Sequence, residues 1–154
     1  MPMALKPLLL LVFAAIMTLM SVAEAQSTVG IVHVNGTLYC TSNASPAPNG
    51  SATPVFPNAT LQVACSADVV ANAPSNTTSN TDGTYRVVLI PRPNATVGSI
   101  VSNCRLFVLT PLSTCNPTLP SAGLVSDLRF VTTVPNGFWR ITYMVAAGFA
   151  VQAN

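Results

Sequence analysis

Two cysteines, Cys104 and Cys115, bracket the stretch CRLFVLTPLSTCNPTL with ten residues between them, and two more stand at Cys40 and Cys65. A cysteine does nucleophilic chemistry only as a thiolate, which needs partial exposure and a neighbour that lowers its pKa. The local sequence offers neither. Cys104 alternates with Leu106 and Val108, Cys65 with Leu61 and Val63, and Cys40 with Val32, Val34 and Leu38. Three of the four thus lie in register with the apolar side of a strand. Their spacing is neither a CxxC redox pair nor a zinc arrangement. Four such cysteines in an oxidising compartment read as two disulfides. Three pairings are open, and residue spacing does not choose among them.

The remaining inventory for catalysis is thin. His33 is the single histidine, and it points to the opposite side of its strand from Val32, Val34 and Cys40, with Ile31 and Asn35 as neighbours. The aspartates Asp68, Asp82 and Asp127 are scattered over a strand end, a turn and a strand start. A carboxylate pair, a zinc site and a Ser-His-Asp set all lack members. No glycine loop of the phosphate-cradling type is present. The expectation is a protein that is not an enzyme and uses no cofactor or metal. Arg86, Arg92, Arg105, Arg129 and Arg140 form no basic run, so no nucleic-acid footprint is expected either.

The elements that carry these residues begin after a secretion signal. Lys6 precedes the apolar run LLLLVFAAIMTLM, and AEA ending at Ala25 satisfies the small-x-small cleavage rule. The apolar run is shorter than the roughly 20 residues that span a bilayer. Residues 1–25 are therefore read as a signal peptide and 26–154 as a single secreted domain. About 129 residues remain, enough for one core. The ending MVAAGFAVQAN is short and follows strand-like alternation, so it reads as a final core strand and not as a lipid-anchor signal. No transmembrane anchor is expected in the mature form.

Only 6% of the chain is charged, against about a quarter in ordinary soluble domains. Something else must hydrate the surface. Asn-x-Ser/Thr acceptors at Asn35, Asn43, Asn49, Asn58, Asn76 and Asn94 supply the candidate, N-linked sugar, while Pro117 blocks the triplet at Asn116.

Pro, Gly, Ser and Asn punctuate the chain, and no sustained 3.6-residue period follows the signal, so few helices are expected. Strands are expected near 29–40, 60–66, 84–90, 104–110, 127–133 and 138–146, with loops over TSNASPAPNGSATPVFP, NAPSNTTSNT and PRPNATVGSIVSN and a turn at Thr81, Asp82 and Gly83. Trp139, Ile141, Tyr143 and Val145 read as a core stripe. Short alternating strands of this kind make a single all-β sandwich or barrel of about seven strands, stapled by two disulfides.

The segments HVNGTLYC, FPNATLQVACS, TDGTYRV, CRLFVLTPLSTCNPTL and GLVSDLRFV, in that order, closely resemble the phylloplanins. These are secreted leaf-surface proteins within the larger olive-pollen-allergen and extensin-like family. The most specific piece is TPLSTCN joined to FPNA and the Gly36-to-Cys40 spacing. The resemblance implies a seven- or eight-stranded sandwich or barrel, with Cys65 joined to Cys104 and Cys40 to Cys115. Larger members carry six cysteines, and this chain lacks one pair. By resemblance, the function is defence on the leaf, where phylloplanins inhibit germination of oomycete or fungal spores. The partner implied is a microbial spore surface or a cell-wall polysaccharide, and the location is extracellular, at the leaf surface or in the wall. The alternative is a non-enzymatic cell-wall structural or pectin/arabinogalactan-binding module, marked by exposed aromatic residues with Arg86, Arg92 or Arg105 facing acidic pectin.

Overall fold

The computed structural model describes residues 29–49 and 52–153. The signal peptide assigned to residues 1–25 lies outside the described residues. The elements are β1 (Ile31–Thr37), β2 (Thr60–Cys65), β3 (Ser75–Thr78), β4 (Thr84–Leu89), a short helix α1 (Val97–Asn103), β5 (Cys104–Val108), a 3-10 turn (Leu112–Thr114), β6 (Leu124–Asn136), β7 (Trp139–Ala146) and β8 (Ala150–Val151). The strands lie in the order β3-β2-β5-β6-β7-β1-β4. All neighbours are antiparallel except β1 and β7, which run parallel.

The fold is a nearly closed, barrel-like β sheet. The two end strands meet through side chains. Asn72 Nδ2 and Ser75 Oγ both donate to the Val88 carbonyl, at 3.0 and 3.2 Å, and Ile90 N donates to Asn72 Oδ1 at 2.8 Å. These bonds cover part of an edge that would otherwise be open to pairing with another chain.

The inward residues are those that alternation selects on five strands: Val32 and Val34, Leu61 and Val63, Val87 and Leu89, Leu106 and Val108, and Leu124 and Leu128 are all buried. Each contributes about 1.5–3 kcal/mol relative to exposure. The buried Ser79 and Thr142 hydroxyls have partners, as burial favours. Ser79 Oγ donates to the Phe56 carbonyl at 2.7 Å and accepts from Ala59 N at 2.9 Å, and the Thr142 and Thr133 hydroxyls bond at 3.0 Å. Where β1 meets β4, Gly36 lies opposite Tyr85. A Cβ at Gly36 would stand 2.5 Å from the Tyr85 hydroxyl oxygen, so only glycine leaves room for that buried ring. Burial pushes the Tyr85 hydroxyl pKa up to about 12.

Four sequence expectations change. Residues 75–78, read as loop, pair with β2. Residues 97–103, also read as loop, form α1. Its start is fixed by a capping box in which Ser99 N donates to Thr96 Oγ1 at 3.1 Å and Thr96 N donates to Ser99 Oγ at 2.8 Å. The stripe Trp139, Ile141, Tyr143 and Val145 faces outward, while Thr142 and Met144 are buried. Parallel pairing places Thr142 beside Val32 and Met144 beside Val34, and that register assigns the face. Finally, the C-terminal stretch does not continue as a core strand. β7 ends at Ala146, and the tail returns as the exposed two-residue β8 on Leu124 and Val125 of β6.

Candidate interaction surface

The cysteines serve the frame. Cys65 and Cys104 are direct ladder partners, at the end of β2 and the start of β5, and a disulfide joins them. Cys40 follows β1 and is joined to Cys115, just beyond the 3-10 turn. No cysteine is free among the described residues.

His33 stands on the outer face, between Val88 of β4 and Tyr143 of β7. Its ring meets the Tyr143 ring edge-on at 5.7 Å. Its Nδ1 is buried without a hydrogen-bond partner. Desolvation, and then the nearby Arg86 charge, lower its pKa, so the neutral imidazole is favoured there. Asp127 pairs with Arg105 at 3.1 Å, with both side chains exposed, a contact of little energetic weight. Asp82 caps its turn, accepting from the Thr84 hydroxyl at 2.7 Å and from Thr84 N at 3.2 Å. These bonds lower its pKa, that from the Thr84 hydroxyl foremost. Among the described residues, no three of His, Cys, Asp and Glu gather as a metal site would require. His33→Ala is therefore expected to keep any germination-inhibiting activity within about threefold, as read by a dose–response series on spores.

The six acceptor asparagines take different positions. Asn43, Asn49, Asn58, Asn76 and Asn94 are exposed, on loops or, for Asn76, on the outer side of β3. Asn35 is half-buried on β1, and its Oδ1 accepts from Arg86 Nε at 3.2 Å. Arg92 Nε donates to the Ala67 carbonyl at 2.7 Å. All three arginines that the wall-binding alternative relies on are thus engaged within the chain.

The exposed aromatics stand elsewhere. β6 and β7 extend as a two-stranded hairpin in which Asn136 pairs with Trp139 across the two-residue turn Gly137-Phe138. Gly137 has φ +64°, the left-handed conformation at the first turn position that closes type II′ hairpins. Phe138 at the tip is fully exposed and Trp139 is 66% exposed. Val131 and Val134 are exposed along the same hairpin. Trp139 also caps a small apolar notch of about 170 Å³ with Gly30, Ile31, Ile90 and Pro91. Sequence reasoning missed this feature because it placed Trp139 in the core. Gly137, as the first residue of a two-residue Gly-Phe turn between strand-like runs, was the available hairpin signal.

A family model described as Phylloplanin antifungal protein matches residues 28–154. The chain belongs to the phylloplanin family. The Phylloplanin of Nicotiana tabacum is 36% identical over 151 residues, which cover 96% of this chain and 94% of that protein. No solved structure matches the chain. The phylloplanin-like segments carry the fold. FPNA supplies the buried Phe56 and the positive-φ Asn58, and TPLSTCN supplies the 3-10 turn and Cys115.

Proposed function

We propose that this phylloplanin-family chain is a secreted plant-surface glycoprotein that inhibits germination of oomycete or fungal spores on the leaf, acting by contact and not by turnover. The family match over residues 28–154 carries the reading. The scattered titratable groups and the engaged cysteines support the non-catalytic part. The signal-like residues 1–25 and the low charge support secretion and glycosylation. Its partner is the spore surface.

Sugar is proposed at the five exposed acceptors, with Asn35 the least occupied because Arg86 holds its side chain. Glycosidase treatment of the secreted protein is expected to produce a stepwise gel shift, and labelling of the unreduced protein is expected to find no thiol. An unchanged mobility, or two reactive thiols, contradicts this.

The second reading is a cell-wall structural or pectin/arabinogalactan-binding module, following the wider olive-pollen-allergen and extensin-like grouping. Exposed Trp139 beside Arg140 favours it; the engagement of Arg86, Arg92 and Arg105 weighs against it. Accumulation separates the two. The defence reading expects the protein in leaf-surface washes, and the wall reading expects it only in salt extracts of the wall.

A further inference from the structure

We propose that the β6–β7 hairpin is a docking element for the surface of an anionic phospholipid bilayer. The inference goes beyond the defence reading and stands independently of it. A two-stranded segment that pairs with no other strand and buries no residue, as residues 131–140 do, has no core-packing reason to carry large apolar side chains. This one carries Val131, Val134, Phe138 and Trp139, all exposed, with Phe138 fully exposed at the tip. Phenylalanine and tryptophan at a protruding tip match the headgroup boundary, where the rings leave water and the indole N–H still finds acceptors.

Charge selects the lipid. From Leu128 to Ala146 the chain carries Arg129 and Arg140 and no acidic residue. Arg105 is neutralised by Asp127, and Arg86 and Arg92 are hydrogen-bonded. The side chains of Arg129 and Arg140 have no hydrogen bond or ion pair among the described residues. Arg140 lies opposite Pro135, one ladder pair behind Asn136 and Trp139, at the level where anionic headgroups would meet it once the tip is inserted. Arg129, opposite Val145, lies six pairs behind the tip, about 20 Å along the strand, and adds only to the longer-range positive field. An apolar tip backed by an unpaired cation is the pattern of interfacial membrane attachment. The notch under Trp139 continues the apolar surface onto Ile31 and Ile90.

Trp139 is the single tryptophan, so its fluorescence reports the tip directly. The mature glycoprotein is titrated with vesicles of phosphatidylcholine and phosphatidylglycerol in equal parts, and with phosphatidylcholine alone, with co-sedimentation in parallel. A blue shift and co-sedimentation are expected with the mixed vesicles, much weaker with phosphatidylcholine and reversed by salt. Arg140→Gln is expected to weaken binding about fivefold, and Arg129→Gln, farther from the tip, by less than about twofold. Phe138→Ser is expected to weaken it about tenfold or more. Leu109→Ser, a change at an exposed apolar residue outside the hairpin, is expected to leave it unchanged. All variants should keep the wild-type melting temperature, because every changed side chain is exposed. The proposal is overturned if mixed vesicles neither shift Trp139 nor co-sediment the protein. It is equally overturned if Leu109→Ser matches Phe138→Ser, or if the blue shift appears with rising protein concentration in the absence of lipid, which would mark self-association.

Discussion

Replacing Cys65 and Cys104 together by alanine is expected to lower the melting temperature by about 10–20 °C, or to prevent secretion altogether. The disulfide closes a sequence separation of 39 residues. The chain-entropy argument assigns such a loop about 4 kcal/mol, as an upper figure, within a total domain stability of about 5–15 kcal/mol. At this chain length that loss translates into the stated shift. Because the two residues are already ladder partners between β2 and β5, the native pairing survives without the bond, and the loss comes mainly from the freer unfolded chain. Circular dichroism of the secreted double variant should therefore show native strand content at low temperature with an early transition. A melting temperature within about 2 °C of wild type would contradict the assignment.

The second large effect falls outside the strands. Phe56 is 1% exposed and belongs to a loop, not to a strand. Its amide donates to the Leu38 carbonyl at 2.8 Å, and its own carbonyl accepts from the buried Ser79 hydroxyl. It therefore ties the segment before β2 to the chain leaving β1 and to the end of β3. Phe56→Ala removes one of the largest fully buried side chains from the hydrophobic core and leaves a cavity. The expected cost is about 3–5 kcal/mol. Urea unfolding should show a lowered midpoint with an unchanged slope. A cost below about 1 kcal/mol would mean that the loop is not an anchor of the barrel.

The parts of the fold that were readable in the sequence share one property, a polar outer face set against an apolar inner one. Val32 and Val34, Leu61 and Val63, and Leu106 and Val108 announce both strand and burial through that contrast. The motif Thr81-Asp82-Gly83 likewise forms its turn, with Gly83 N bonded to the Asn80 carbonyl at 2.9 Å. β3 escaped notice because Ser75, Asn76, Thr77 and Thr78 are polar on both faces. Pairing with β2 makes that segment a strand, and no local preference does so. α1 is seven residues long, too short for a helical period to register, although Thr96 and Ser99 carried its capping signal.

β7 is the instructive failure. Alternation from Trp139 to Val145 gives the correct strand, but parity alone does not say which set faces inward. The apolar set was placed inside, yet the non-local register with β1 buries Thr142 and Met144 instead. The residues left outside are the start of the candidate surface. The family was legible because motifs such as TPLSTCN and FPNA are locally distinctive. The surface was not, because it follows from which side of β7 meets β1.

The central claim is that this phylloplanin-family chain acts on spores by contact. Its most direct test is a germination assay with the purified mature glycoprotein, in which spore number and protein dose are varied independently. The account predicts that inhibition follows the amount of protein per spore, saturates, does not grow with preincubation time, and persists in His33→Ala. An absence of inhibition at any dose, or inhibition by trace protein that increases with time and vanishes in His33→Ala, would contradict it.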